Sequence, residues 1–229
     1  KALAFDGAPL TKTDAAEGFF NDTYLGRQWN LVNTGDKTAA PNAVAGADVN
    51  VKDAWRLTGG DPSVVVAVFD CAVNSMHEDL KDALWINTAE VEGEAGKDDD
   101  GNGYVDDRYG FNFVKSKASE GKPTTGDALN WTKGSGHGTH VAGIVAAVNG
   151  NGIGVSSVAG GSGKGDGVRL MCCQVFEGIY SDGDRGMSEA LMYAADNGAV
   201  VLQCSWGYIS GAANPYDWTP QFATDEQWK

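Results

Sequence analysis

The sequence predicts an α/β domain built on a parallel sheet, because apolar segments of strand length alternate with helical patterns. Three apolar runs have the length and composition of buried strands, at residues 64–70, 168–175 and 199–205. Helical patterns at 137–148 and 188–197 lie between them. This alternation is typical of parallel sheets, where functional residues gather beyond the carboxyl ends of the strands. Asp70 and Ser205 both stand at such ends.

The helical patterns carry their own start and stop signals. Residues 137–148 are rich in Gly and Ala, whereas 188–197 begin at a capping Ser188 and stop before Gly198, a residue suited to helix termination. A shorter helix is predicted within 48–57. We expect residues 1–60 to form an arm packed on the core.

Composition limits the classes of partner. The 229 residues include 42% hydrophobic residues and 32 glycines, which suits one loop-rich core. A net charge of -14 disfavours nucleic acid and anionic membrane surfaces as partners. No apolar run is long enough to span a bilayer, and the first ten residues lack a signal-peptide pattern.

The four cysteines all lie in or at the end of apolar runs, at positions 71, 172, 173 and 204. We therefore predict buried thiols rather than a disulfide framework, which usually places its cysteines in loops. Neighbouring Cys172 and Cys173 should point to opposite faces of their strand. This pattern does not decide the redox compartment.

Asp70 and His137 are predicted to interact. A carboxylate at the end of an apolar strand is costly to bury without a hydrogen-bonding or cationic partner. His137 begins a helix and is flanked by Gly136 and Gly138, so backbone and substrate can approach it closely. Since a helix N-terminus disfavours an imidazolium, a carboxylate is needed to stabilise the charge and to fix the ring tautomer. The alternative is a purely structural hydrogen bond.

Four segments together resemble the subtilisin-like serine proteases, or subtilases. They read Val66-Ala-Val-Phe-Asp70, Val73-Asn-Ser-Met-His-Glu-Asp-Leu80, His137-Gly-Thr-His-Val-Ala-Gly143 and Val200-Val-Leu-Gln-Cys-Ser-Trp-Gly207. The resemblance implies a three-layer αβα fold with a mainly parallel sheet, formed by residues 61–229 as a partial catalytic domain incomplete at the C-terminus.

The same resemblance implies the roles of individual residues. Asp70 would be the orienting acid and His137 the general base of an Asp-His-Ser triad that hydrolyses peptide bonds. Ser205, Trp206 and Gly207 would form one wall of the substrate cleft, whose backbone pairs with an extended peptide. The partner would be a peptide or protein substrate, and the location secreted or at the cell surface.

Three departures from the family pattern leave alternatives open. Asp70 is followed by Cys71 and Ala72 rather than by Thr or Ser and then Gly, and Cys172-Cys-Gln174 replaces a segment that usually contains Pro and Lys. The family's Gly-Thr-Ser-Met-Ala block and its oxyanion Asn block do not occur before Lys229. This fragment alone is therefore expected to be inactive. The alternatives are a non-catalytic protein that binds peptides, and a cleaved two-chain protease whose partner is the remaining C-terminal part of its own catalytic domain.

The acidic segment 98–107 predicts a structural calcium site. Oxygen donors recur at alternate positions, and Gly103 suits the tight turn of a calcium loop. The candidate ligands are Asp98, Asp100, Asn102, Tyr104, Asp106 and Asp107. A complete EF-hand is excluded because Tyr109 occupies its twelfth position, and the alternative is a solvated acidic loop.

The sequence offers two further candidate metal sites. The resemblance implies a second, weaker cation site at Asp79 and the loop 148–155. Zinc on Asp70, His137 and His140 is disfavoured because the Glu of His-Glu-X-X-His is missing and Gly138 should interrupt the helix.

Overall fold

The predicted strand runs are neighbours in one parallel sheet. The computed structural model describes residues 20–115, 124–125, 136–176 and 183–207. Its strands are β1 Val65–Asp70, β2 Tyr104–Val105, β3 Gly110–Asn112, β4 Thr124–Thr125, β5 Arg169–Gln174 and β6 Ala199–Gln203. Its helices are α1 Val51–Leu57, α2 Thr88–Glu92, α3 His137–Ala146 and α4 Gly183–Asp196, with short 3-10 turns at Leu25–Arg27, Lys81–Ala83 and Phe113–Lys115.

The main sheet has the order β3-β5-β1-β6, and its strand pairs are parallel. In this register Asp70 lies opposite Gln174, and Val68 lies opposite Gln203. The carboxyl ends of β1, β5 and β6 therefore meet at one edge of the sheet. A separate parallel pair joins β2 to β4.

Helices cover both faces of this sheet, so the architecture is the predicted αβα arrangement. One face packs against Val141 and Ala142 of α3, and the opposite face packs against Ala190 and Tyr193 of α4. The strand residues divide accordingly into two buried clusters, Val66, Val68, Leu170 and Cys172 on the α3 side and Ala67, Phe69, Met171 and Cys173 on the α4 side. The prediction that Cys172 and Cys173 point to opposite faces is confirmed.

The start of α4 differs from the sequence prediction, whereas α1 lies within the predicted range 48–57. α4 begins at Gly183 rather than at Ser188, because Met187 in its first turns packs on the α4-side cluster and extends the helix beyond the capping signal. α1 begins at Val51, since Asn50 has a left-handed backbone with φ of 54°. Gly198 follows α4 with φ of 85°, which fits its predicted role at the end of that helix.

The exposure of β6 contradicts the prediction that this strand is buried. Val200, Val201 and Leu202 are 69%, 45% and 42% exposed, and Cys204 is exposed as well, although the sequence predicts a buried strand and a buried thiol. In the part of the chain that the structure describes, β6 pairs only with β1 and forms the edge of the sheet. An apolar run alone does not distinguish an edge strand from a central one.

The segment from Phe20 to residue 60 is joined to the loop 149–161 by hydrogen bonds. The Trp55 indole N–H donates to the Val158 carbonyl at 3.1 Å, and the Gln28 amide exchanges two bonds of 2.8 Å with the backbone of Ser156. Residues 1–19 lie outside the described residues. The domain boundary at residue 60 stays a prediction. Within the described ranges, none of the helices has both the length and the apolarity to cross a bilayer.

Candidate active site and acidic loop

Asp70 and His137 meet at the carboxyl edge of the sheet. Asp70 is the last residue of β1 and is 3% exposed, whereas His137 is the first residue of α3. The Nδ1 atom of His137 lies 2.7 Å from Oδ1 of Asp70 and 3.0 Å from Oδ2. The Cys71 backbone N–H also donates to Oδ1 at 2.8 Å, so the buried carboxylate has both a ring and a backbone donor.

This geometry fixes which ring nitrogen is available for chemistry. A carboxylate accepts the hydrogen bond, so Nδ1 carries the proton and Nε2 has an unshared electron pair. The His137 side chain is 51% exposed, whereas that of Asp70 is 4% exposed. A base that faces solvent and is oriented by a buried carboxylate is the arrangement needed for accepting a proton from a hydroxyl nucleophile.

Gly138 places α3 against the end of β1. A Cβ at this position would lie 2.2 Å from the Cys71 carbonyl oxygen, so only a glycine permits the approach. Gly138 lies inside α3, and the prediction that it interrupts the helix is wrong because its backbone keeps a helical conformation. The Thr139 hydroxyl also accepts from the Asn74 N–H at 3.0 Å, which ties the first turn of α3 to the chain after β1.

Ser205, Trp206 and Gly207 follow β6 and are exposed. The Trp206 indole N–H donates to the Phe69 carbonyl at 2.7 Å, and its ring meets Phe176 edge-on with 5.2 Å between centroids. The segment therefore lies at the same sheet edge as Asp70. The sequence does not predict these contacts of Trp206, because it shows only that an aromatic residue follows a strand.

The acidic loop brings two of its predicted residues together with one that the sequence reasoning missed. Carboxylate oxygens of Glu90, Asp98 and Asp100 lie within 4.8 Å of one another. Glu90, in α2, is 1% exposed and accepts the backbone N–H groups of Asp99 at 2.6 Å and Asp106 at 2.9 Å. The indication of Glu90 in the sequence is its position shortly before the acidic segment 98–107.

The other predicted ligands have different surroundings. The Asn102 side chain accepts from the Tyr104 N–H at 2.8 Å and donates to Asp100 and Asp107 at 3.0 Å each. Asp106 contacts Arg108 at 3.0 Å and accepts from the backbone of residue 96. The backbone of Gly103 has φ of 95°, the left-handed conformation expected of it.

Asp107 is fully buried beneath this loop. It accepts from the Asn87 amide at 2.9 Å, from Asn102 and, at 2.6 Å, from the Tyr193 hydroxyl of α4. Burial raises the pKa of Asp107 above its usual range; hydrogen bonds from Tyr193 and Asn102 lower it, and the charges of Asp100 and Glu90 raise it further. Asp107 and Glu90 are thus withdrawn from water, whereas Asp98 is half-buried and Asp100 is exposed.

A second pair of buried carboxylates lies beside the N-terminal segment. Asp79 is 1% exposed and accepts from the Asn151 amide at 2.7 Å and the Val155 N–H at 2.9 Å, while Asp22 accepts from the Ser156 hydroxyl at 2.6 Å. Burial raises the pKa of Asp79, and the nearby charge of Asp22 adds to this effect. The second cation site predicted at Asp79 and the loop 148–155 stays a prediction, and Asp22 is a neighbouring carboxylate that the sequence did not indicate.

Comparison with known proteins finds relatives among the subtilisin-like proteases. The sequence profile of the subtilase family matches residues 61–227. Subtilisin-like protease 1 of Plasmodium vivax is 33% identical over 178 residues, which are 77% of this chain and 23% of that protein. Halolysin-like extracellular serine protease Nep of Natrialba magadii is 28% identical over 163 residues, 69% of this chain and 23% of the relative. The chain thus spans about a quarter of the length of these relatives.

Solved structures share the fold. A protease of Pseudoalteromonas arctica superposes with a TM-score of 0.55 at 21% identity, covering 88% of this chain and 54% of that one. A serine protease of Aeromonas sobria, solved in complex with a chaperone, gives a TM-score of 0.51 at 22% identity and covers 93% of this chain and 32% of that one. The profile match over residues 61–227 establishes that the chain belongs to the subtilase family.

Proposed function

We propose that this chain supplies the acid and the base of a serine endopeptidase that hydrolyses peptide bonds through an acyl-enzyme. The observation that carries the proposal is the 2.7 Å hydrogen bond between the buried Asp70 carboxylate and Nδ1 of His137. The nucleophilic serine and the oxyanion donors would come from the family's Gly-Thr-Ser-Met-Ala and Asn blocks.

In this proposal each residue has a distinct task. Nε2 of His137 takes the proton of the serine hydroxyl as it attacks the peptide carbonyl, and later returns it to the leaving amine. Asp70 keeps the proton on Nδ1 and stabilises the imidazolium formed in between, which the N-terminus of α3 would otherwise disfavour.

The segment Ser205, Trp206 and Gly207 is proposed to bind the substrate backbone. It is exposed, anchored by the bond from Trp206 to the Phe69 carbonyl, and adjacent to the end of β1. An extended peptide lying along this segment would form main-chain hydrogen bonds with it, and its reactive carbonyl would then lie near His137.

We further propose that calcium stabilises the acidic loop. Glu90, Asp98 and Asp100 provide the hard oxygen donors that calcium prefers, and a divalent cation there offsets negative charge held close together. Its role would be structural, holding α2 and the loop before β3 in place. The loop is not part of the catalytic step.

Secretion is also a proposal. It is supported by the similarity to the Natrialba magadii protease, which is described as extracellular. A non-catalytic peptide-binding protein remains the second candidate, favoured by Cys71 and Ala72 beside the acid, where the family usually has Thr or Ser and then Gly.

The test is peptide hydrolysis by the full-length protein. His137→Ala should lower kcat by several orders of magnitude, as removal of a triad base does. His140→Ala, which removes an exposed histidine of the same helix, is the matched control and should change kcat less than threefold. Equal activity of wild type and His137→Ala would overturn the assignment, and a full-length wild type without hydrolysis would favour the non-catalytic candidate.

A further inference from the structure

A third potential ligand group lies beside the Asp70 and His137 pair. A carboxylate oxygen of Asp70, Sγ of Cys71 and a ring nitrogen of His137 all lie within 4.8 Å of one another. We propose that these three side chains form a zinc site, and that zinc bound there reversibly switches off the base. The inhibition rests on the proposed peptidase function, whereas zinc binding does not.

The donor set matches the chemistry of zinc. Zinc in proteins binds thiolate sulfur, imidazole nitrogen and carboxylate oxygen at about 2.0–2.3 Å, which in a tetrahedron separates ligand atoms by about 3.5 Å. Donor atoms near the 4.8 Å limit must approach by at most about 1.3 Å, and the 2.7 Å pair of His137 Nδ1 and Asp70 Oδ1 must separate by about 0.8 Å, to reach that spacing. Calcium and magnesium, which prefer oxygen alone, are disfavoured by the sulfur. Cys71 occupies the place that the sequence-based zinc alternative gave to His140.

The sulfur is held in position by the start of α3. Cys71 is 5% exposed, and the Gly138 N–H donates to Sγ at 3.2 Å. Gly138 itself is fixed by its close approach to the Cys71 carbonyl. A backbone donor to a sulfur ligand both orients it and stabilises the negative charge that the sulfur carries when it binds a metal.

The imidazole gives solvent access to this otherwise buried site. The His137 side chain is 51% exposed, so its ring can turn towards an incoming ion, whereas the Asp70 carboxylate is already buried beside it. Three protein ligands leave the fourth zinc position to water, as in sites that remain open. The ion would enter from the side that the substrate approaches.

Zinc binding would replace the hydrogen bond on which the base depends. The ion forms bonds to Sγ, to Nδ1 and to a carboxylate oxygen, and the protons of Sγ and Nδ1 are released to water. The Nδ1 proton no longer bridges His137 to Asp70. A ring whose Nδ1 electron pair is held by a dication is a weaker base at Nε2, so proton transfer from serine fails.

Cys204 provides a matched control. It is a second thiol at this sheet edge, directly after Gln203 of β6, and it is exposed. Partial burial raises its pKa, and the negative charge of Asp70 raises it further. It does not belong to the group of three donors.

The binding test uses the full-length protein in excess calcium, which saturates oxygen-only sites. Cadmium, a thiol-binding stand-in for zinc, should produce an ultraviolet sulfur-to-metal charge-transfer band that zinc displaces. Cys71→Ser should lose this band and weaken zinc binding at least tenfold by calorimetry, while Cys204→Ser should retain both. Unchanged zinc binding by Cys71→Ser, or loss of binding only in Cys204→Ser, would overturn the site.

The inhibition test separates this inference from the proposed function. Zinc should inhibit peptide hydrolysis, a chelator should restore it, and Cys71→Ser should need at least tenfold more zinc, with each variant measured against its own zinc-free rate. Hydrolysis that zinc inhibits equally in wild type and Cys71→Ser would overturn the switch while leaving the peptidase intact. A protein without peptidase activity that still shows the Cys71-dependent band would overturn the proposed function and leave the site.

Discussion

The backbone of Gly138 packs closely against the carbonyl of Cys71. The space there is so small that a Cβ on Gly138 would come within 2.2 Å of that oxygen. Because Cys71 follows Asp70 and Gly138 follows His137, this one contact sets how closely the acid and the base approach. The 2.7 Å hydrogen bond between them is therefore a consequence of how α3 docks on β1.

Gly138→Ala should separate the pair. The added methyl cannot be accommodated against backbone atoms, so we expect a loss of about 1–3 kcal/mol in the free energy of unfolding and a fall in kcat beyond what unfolding explains. Gly143→Ala in the same helix, where a Cβ meets nothing within 4 Å, should instead stabilise by about 0.5–1 kcal/mol. Denaturant unfolding and kcat measured on both variants check this; two variants with equal stability would refute the contact.

The contact between Asp70 and His137 could be predicted because each residue stands at the end of a recognisable element. Asp70 ends an apolar strand and His137 opens a Gly-rich helix, and a parallel sheet brings such ends together. The position of Glu90 shortly before the acidic segment did not suffice to predict its part in the acidic cluster, since that part depends on the loop folding back over α2. The exposure of Val200 could not be predicted, because an apolar strand pattern does not show which other element, if any, covers the strand.

The buried carboxylate of Asp79 predicts a pH dependence of stability. Burial raises the pKa of Asp79 above its ordinary 3.8, so the folded state favours the protonated form more than the unfolded state does. The resulting contribution to the free energy of unfolding is fully present below the pKa that Asp79 has in the unfolded state. It is lost as pH rises through the higher pKa that Asp79 has in the folded state. In calcium-free buffer the free energy of unfolding should therefore fall with rising pH in the window just above 3.8.

Asp79→Asn is the variant that isolates this contribution. An uncharged amide should flatten the decline, measured by urea unfolding at a series of pH values. Asp61→Asn serves as the control, because that exposed carboxylate has its pKa lowered by hydrogen bonds from the backbone and side chain of Ser63 and should not remove the decline. A wild-type stability that rises through this window would contradict the expectation.

Glu90 should contribute to calcium-dependent stability. Calcium bound only by the folded state raises the melting temperature, and a chelator should remove that gain. Glu90→Gln should reduce the difference between melting temperatures with and without chelator by at least half. Glu92→Gln, an exposed change in the same helix, should preserve it. Identical chelator shifts in wild type and Glu90→Gln would count against the proposed calcium site.

Tyr193 joins α4 to the acidic loop through Asp107. Its hydroxyl donates to the buried carboxylate at 2.6 Å, so Tyr193→Phe leaves a buried acceptor with one donor fewer and should cost about 1–3 kcal/mol. Tyr104→Phe breaks a longer, partly buried bond of 3.3 Å to Glu189 and should cost less. Denaturant unfolding measures both, and a larger loss for Tyr104→Phe would reverse the expected ranking.

The central claim is that Asp70 acts on peptide hydrolysis through His137. Asp70→Asn keeps the size of the side chain but cannot stabilise the imidazolium or hold the Nδ1 proton as a carboxylate does. The most direct measurement is kcat and KM of full-length Asp70→Asn beside the exposed-carboxylate control Asp61→Asn. We expect kcat to fall by about 10³–10⁴-fold for Asp70→Asn, with little change in KM. A kcat within threefold of wild type for Asp70→Asn would contradict the central claim.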